Sequence, residues 1–127
     1  DTVNIKNAFV INFALDFEIT ALKKYNNNEV ILNCIAELQD YFNIDKWQIN
    51  QPIIPSEVRN LILEVKGVQS IEKLEFTNKS GTALGYSQYK YDFPGATRKG
   101  VIYPSLDPSI FEIKNLNTDI KGRVTTY

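Results

Sequence analysis

The feature that most constrains the fold is a strict two-residue alternation near the start of the chain. Even-numbered positions from Val10 to Thr20 are mostly small or polar. Odd-numbered positions are all apolar: Phe9, Ile11, Phe13, Leu15, Phe17 and Ile19. Because successive side chains of a strand point to opposite faces, this period predicts one long strand. One face should pack on a core, and the other should meet solvent or a neighbour.

The apolar spacing then changes to that of a helix. Three asparagines at 26–28 offer N-cap side chains for it. The stripe that follows has helical spacing: Val30, Ile31, Cys34, Ile35, Leu38, Tyr41 and Phe42. A second, shorter helix is predicted to open at Pro55. Its stripe is Val58, Leu61, Ile62 and Val65. Gly67 stands where a left-handed residue commonly ends a helix.

Two further strands are predicted, at 46–50 and at 70–76. The resulting order over residues 8–77 is strand, helix, strand, helix, strand. This order predicts an α+β fold, a small split α/β sandwich related to ferredoxin-like folds. The polar face of the first strand argues against a sheet covered on both sides.

The character of the chain changes after residue 77. Residues 78–108 hold four of the six glycines and three of the five prolines. Alternating aromatic residues at 89, 91 and 93 predict a short strand or hairpin, and a final strand is expected at 110–114 before a turn near 119–122. We therefore predict an α/β sandwich subdomain at 1–77. A Gly/Pro/aromatic-rich β arm at 78–127 should pack on that subdomain or on a neighbouring chain.

Charge argues against nucleic acid as a partner. The net charge of the chain is -1. Residues 1–77 carry seven basic and eleven acidic side chains, a net of -4, and residues 78–127 carry seven and four, a net of +3. No overall basic field exists to hold a phosphate backbone, although this asymmetry can orient copies or partners. A weaker alternative is a single-strand binder that stacks bases on Tyr86, Tyr89 and Tyr91.

The sequence lacks the residues that several common catalytic and metal sites require. The chain has no histidine and one cysteine, Cys34. A His-dependent catalytic triad, a zinc site with His or several Cys ligands, and an internal disulfide are therefore excluded within this chain. Cys34 lies on an apolar stripe, and Asp16 and Glu18 lie on a polar strand face. We predict no catalytic residue, no metal and no cofactor, and a role other than that of an enzyme.

Two further expectations concern location and extent. No apolar run approaches the roughly 20 residues that a membrane helix needs, and no signal peptide is visible. A single cysteine suits a reducing cytoplasm. The chain begins at Asp1 and contains no methionine, so we expect it to be part of a longer protein.

The run from Asp45 to Phe76 resembles the C-terminal part of baseplate wedge proteins of T4-like contractile-tailed phages. It is also similar to the baseplate J-like family. The positions that carry the resemblance are Ile54, Pro55, Val58, Leu61, Ile62, Val65, Gly67, Val68 and Ile71. The closing run from Gly100 to Val124 resembles the end of tail-baseplate proteins of large myophages.

The resemblance implies a structural subunit of a virion tail baseplate, assembled in the host cytoplasm. Such a subunit would self-associate through its C-terminal region, with a dimer favoured, and would bind other wedge or hub proteins. The alternative function is a ligand-binding or regulatory domain on a ferredoxin-like scaffold.

Six side chains of the arm are the candidate contact residues, because aromatic residues are enriched at interfaces. They are Tyr86, Tyr89, Tyr91, Phe93, Phe111 and Ile113. The competing interpretation is that they pack back on their own sheet. Trp47 is expected in the core, and the free edge of the sheet is a further binding surface. Removal of 78–127 is expected to abolish assembly and to leave 1–77 folded.

Overall fold

The computed structural model describes residues 8–104 and 108–125, so the outer ends of the two predicted segments, 1–7 and 126–127, lie outside the described residues. The fold is mixed α/β, with one four-stranded sheet, a two-stranded ribbon and three helices. In chain order the elements are β1 (Phe9–Ala21), α1 (Asn27–Tyr41), α2 (Pro55–Leu63), β2 (Val68–Asn78), α3 (Phe93–Ala96), β3 (Thr97–Arg98), β4 (Val101–Ile102), β5 (Ser109–Glu112) and β6 (Ile120–Val124).

The long first strand is confirmed, and it is the centre of the sheet. Five of its odd-numbered side chains are buried: Ile11, Phe13, Leu15, Phe17 and Ile19. They share one core with side chains of α1 and α2, including Val30, Leu38 and Ile62. The opposite face is covered only in part, since Asn12 is buried whereas Asp16 and Glu18 are half-exposed.

The pairing of β1 explains how the sheet is built. β2 pairs antiparallel with residues 13–21 of β1. β5 pairs parallel with residues 9–12, and β6 pairs parallel with residues 15–19. The N–H groups of Phe9 and Leu15, both odd-numbered, donate to carbonyls that precede β5 and β6. Therefore β5 and β6 follow one another along the same side of β1, and β2 occupies the other side.

Both predicted helices are confirmed, with their caps. The Asn26 side chain accepts a hydrogen bond of 3.0 Å from the N–H of Glu29 at the start of α1. Pro55 is the first residue of α2, where its missing N–H costs nothing. Gly67 has φ +97°, and a Cβ there would lie 2.7 Å from Val30 Cγ2. This position therefore needs glycine both for its backbone and for space.

Three local predictions are wrong. Residues 46–50 form no strand, because the chain makes a 3₁₀ turn at Ile44–Lys46 and buries Trp47 against Phe42. No strand forms over 89–93, and the short hairpin lies later, as β3 and β4. The turn expected near 119–122 lies at 116–118, and β6 follows it. The strand order of a ferredoxin-like fold is thus not confirmed.

The arm is an integral part of this fold. It supplies β5 and β6, which are two of the four strands of the sheet. It also contributes buried core side chains, among them Tyr91, Phe93, Ile102, Phe111, Ile113 and Ile120. Of the two predicted positions for the arm, packing on residues 1–77 of the same chain is the one observed. The arm completes a core that the first 77 residues leave open on one side.

Candidate functional site

Four of the six predicted contact residues are core residues of this chain. Tyr91, Phe93, Phe111 and Ile113 are 9%, 3%, 2% and 4% exposed. The ring of Phe111 lies 5.5 Å from that of Tyr91 and 5.7 Å from that of Phe93. Their burial corrects the expectation that they are free for a partner. Tyr91 and Phe93, two of the alternating aromatic residues that predicted a short strand or hairpin, instead join a buried cluster with Phe13 and Phe111.

Tyr86 and Tyr89 lie in a covering segment, residues 79–90, which crosses the outer face of the sheet. The Tyr86 hydroxyl donates to the buried carboxylate of Asp119, at 2.9 and 3.1 Å. Burial, and then the hydrogen bond to Asp119, raise the pKa of Tyr86. The Tyr89 ring meets Phe9 edge-on at 5.0 Å. Both side chains are half-buried, so they anchor this segment and keep some exposed surface.

Asn12 explains how the covering segment is attached. Its side-chain oxygen accepts a hydrogen bond from the N–H of Ser87 at 2.7 Å, and its amide nitrogen donates to Glu112 Oε1 at 2.7 Å. One buried side chain therefore joins β1, β5 and the covering segment. Asn12 was not predicted to be functional. The two-residue alternation places it on the polar face of β1 but does not indicate its hydrogen-bond partners.

The outer face beyond the covering segment is charged and paired. Across the strands, Asp16 is flanked by Glu75 and Lys121, and Glu18 is flanked by Lys73 and Arg123. Arg123 Nε donates to the Glu18 carboxylate. Hydrogen bonds from Thr125 and Arg123 lower the pKa of Glu18. This supports the interpretation of a solvated strand face rather than of an acid/base pair.

The remaining candidates for chemistry are buried. Cys34 is fully buried, and burial raises the pKa of its thiol to about 11, far from that of a reactive thiolate. Trp47 is in the core, as expected. Within residues 8–104 and 108–125, no three His, Cys, Asp or Glu side chains gather as a metal site would require. None of the described helices is long and apolar enough to cross a membrane.

The outer edge of β2 is the most distinctive open feature of the backbone. The backbone N–H and C=O groups of even-numbered residues of β1 point towards β2, as the hydrogen bond from the Lys79 N–H to the Asn12 carbonyl shows. Their partners Lys73 and Glu75 therefore direct their backbone groups towards β1. It follows that the N–H and C=O groups of Leu74 and Phe76 point away from the sheet. In the described part of the chain, no strand pairs with this side of β2.

A groove runs beside this edge. It consists of two adjoining cavities of about 210 and 280 Å³. The residues common to both are Glu75, Phe76, Phe93 and Pro94. Pro55 and Arg59 of α2 form a further wall of the first cavity. The groove therefore combines apolar side chains with one exposed cation, Arg59, and two exposed carboxylates, Glu75 and Asp92.

A larger cleft of about 730 Å³ lies between α3 and the β3–β4 ribbon. It shares Tyr91 and Asp92 with the second cavity of the groove. Its described lining is Lys90, Tyr91, Asp92, Gly95, Ala96, Arg98, Tyr103 and Pro104. This lining includes two cationic side chains, Lys90 and Arg98, two tyrosines and one carboxylate, that of Asp92.

Comparison with known proteins adds no family to these observations. No protein-family model matches the chain, and no curated protein matches it.

Proposed function

We propose that this chain is a non-catalytic assembly module of a contractile-tail baseplate, and that it binds neighbouring chains through the outer edge of β2. The observation that carries the proposal is the row of outward-facing backbone groups at Leu74 and Phe76, next to an apolar groove. Such an edge accepts an extended segment, whose backbone extends the sheet and whose alternate side chains enter pockets.

The regular part of β2 is the part suited to this role. Register shifts between β1 and β2 lie at Glu18/Ile19 and Thr20/Ala21, so the pairing is regular only from Lys73 to Asn78. Bulges of this kind discourage further strand pairing. The binding segment of the edge is therefore 73–78, which is also the stretch beside the groove.

The side chains around the edge define what a partner strand must carry. Phe76 and Pro94 offer an apolar surface, and Arg59 is exposed at the wall. A partner segment with apolar residues at alternate positions and an acidic residue near Arg59 fits this arrangement. The resemblance of 45–76 to baseplate wedge proteins supports the proposal that such partners are a second copy of this chain and other wedge or hub proteins.

Hydrogen exchange tests the proposed edge directly. In the dispersed protein we expect fast exchange of the Leu74 and Phe76 amides and slow exchange of the Lys73 and Glu75 amides, which bond to β1. On assembly with itself or with its partners, the first pair should become protected. Assembly without any change at Leu74 and Phe76 would show that another surface is used.

Substitution gives a second test of the same surface. Arg59→Glu should weaken assembly about threefold to tenfold, because it reverses the charge at the groove wall. Lys24→Glu is the matched control, since Lys24 is exposed on the β1–α1 loop and away from the groove. Analytical ultracentrifugation over a concentration series measures both variants, and equal effects of the two would contradict the proposed site.

The location in a baseplate is tested separately. Immunogold electron microscopy with an antibody against this chain should label the baseplate end of contractile-tailed particles from the source. Unlabelled particles alongside free antigen in the cell would refute the baseplate role while leaving the edge-binding test unaffected.

A further inference from the structure

The cleft between α3 and the β3–β4 ribbon has unpaired positive charge. Lys90 and Arg98 are both exposed, and neither is within ion-pair distance of a carboxylate among the described residues. The carboxylate of Asp92 lies instead against Gly95, so closely that a Cβ at position 95 would overlap it. The two cations are therefore available to an anion that enters the cleft.

The same cleft presents aromatic surface. Tyr103 lines the cleft and is 48% exposed. Tyr91 also lines the cleft, and its hydroxyl is buried with no hydrogen-bond partner among the described residues. A buried polar atom without a partner costs about 1–3 kcal/mol, and an ordered water or ion is a usual partner for such an atom.

The size of the cleft agrees with a small molecule. Its volume of about 730 Å³ lies within the roughly 300–1,000 Å³ of ligand sites. Such sites combine apolar or aromatic walls with a few polar groups that set orientation. The cleft has both, and its tyrosines and cations come from one continuous stretch, residues 90–104.

From this combination we infer that the cleft binds a small aromatic anion, an aryl phosphate or aryl carboxylate. Its ring contacts Tyr103, and its anionic group pairs with Arg98 and Lys90. This inference does not depend on assembly through β2, because no residue of that strand is part of the described lining. The residues that line both the cleft and the groove are Tyr91 and Asp92, and neither is assigned to the anion.

Phenyl phosphate is the probe, and ¹H–¹⁵N correlation spectra of the full chain are the readout. We expect saturable shifts at the amides of 90–104 with a dissociation constant of about 1 mM. Binding should weaken severalfold when salt is raised, because the cations are exposed. Phenol, which lacks the charge, and inorganic phosphate, which lacks the ring, should each bind at least about tenfold more weakly.

Variants separate the cleft from general charge. Arg98→Ala and Lys90→Ala should each weaken binding about threefold to tenfold, and Tyr103→Ala about threefold or more. Lys24→Ala, a lysine remote from the cleft, should bind as the wild type does. Spectra of all four variants without probe report their folding independently. The inference would be overturned if inorganic phosphate bound as tightly as phenyl phosphate. It would also be overturned if the shifts lay outside 90–104 or did not saturate.

Discussion

Gly122 of β6 is the pairing partner of Phe17 on β1, and the aromatic ring lies over the glycine. A Cβ at position 122 would overlap three ring carbons of Phe17. Since Phe17 is buried and surrounded by core residues, the ring has little space into which to move. The absence of a side chain at one edge position is therefore what lets the central strand bury a phenylalanine there.

We expect Gly122→Ala to lower the free energy of unfolding by about 1–3 kcal/mol, the usual cost of overpacking a core. The neighbouring Lys121→Ala should change it by less than about 0.5 kcal/mol, because Lys121 is exposed. Urea denaturation of both variants measures the difference. Equal stabilities would show that Phe17 repacks freely.

Cys34 gives the stability a dependence on alkaline pH. Burial raises the pKa of its thiol from 9.0 to about 11. The unfolded chain therefore loses this proton at lower pH than the folded chain does. Stabilisation by the buried neutral thiol is complete below pH 9 and is lost as the pH rises towards 11.

Cys34→Val removes this titration while keeping an apolar side chain of similar size. Between pH 8.5 and 10.5, thermal melting should fall less steeply for the variant than for the wild type. Tyrosine titration contributes equally to both proteins, so the difference in slope isolates the thiol. Parallel curves would contradict this assignment.

At the scale of elements, the covering segment decides which parts of the sheet are open. It has no helix or strand longer than the 3₁₀ turn at Thr82–Leu84, and it is fixed mainly by side chains. Ser87 bonds to Asn12, and Tyr86 bonds to Asp119. Because these contacts are few, this segment should open before the sheet does.

Tyr86→Phe tests this attachment. It leaves the buried Asp119 carboxylate without the Tyr86 hydroxyl, which should cost about 1–3 kcal/mol. It should also speed hydrogen exchange at residues 79–90 more than in β1. Tyr89→Phe is the control, because the observed contact of Tyr89 is made by its ring and not by its hydroxyl. An identical response of the two variants would show that the Tyr86–Asp119 hydrogen bond does not stabilise the covering segment.

At the scale of the whole molecule, one core spans both predicted segments. Phe13 of β1 lies 5.3 Å from Phe42 of the first segment and 6.1 Å from Phe111 of the second, measured between ring centroids. Burying each such side chain contributes about 1.5–3 kcal/mol, against a total stability of roughly 5–15 kcal/mol for a domain. The first segment alone therefore lacks a sufficient core.

A fragment of residues 1–78 should accordingly be unfolded, contrary to the sequence-based expectation of a folded 1–77 core. The fragment lacks β5 and β6, the strands on one side of β1. It also lacks the aromatic core residues Tyr91, Phe93 and Phe111. Near-ultraviolet circular dichroism and thermal melting provide the measurement, with the full chain as reference. A cooperative transition in the fragment would show that the arm is a separable unit.

Local sequence determined the elements whose signal lies within one segment. The two-residue period of β1, the asparagine cap of α1, Pro55 and Gly67 each act through neighbouring backbone, so their consequences could be predicted without a fold. The β2 strand was also predicted, and its charged residues Glu72, Lys73 and Glu75 are typical of an edge.

Tertiary structure decided everything that depends on distant residues. Trp47 left its predicted strand because Phe42 and the rest of the core gave it a buried position. Tyr91, Phe93 and Phe111 became core residues because β5 and β6 returned to β1, a pairing across about 100 residues that no local pattern encodes. The open edge of β2 and the cleft beside α3 exist for the same reason. Which surfaces remain available for binding is fixed only after the long-range strand pairing has used the others.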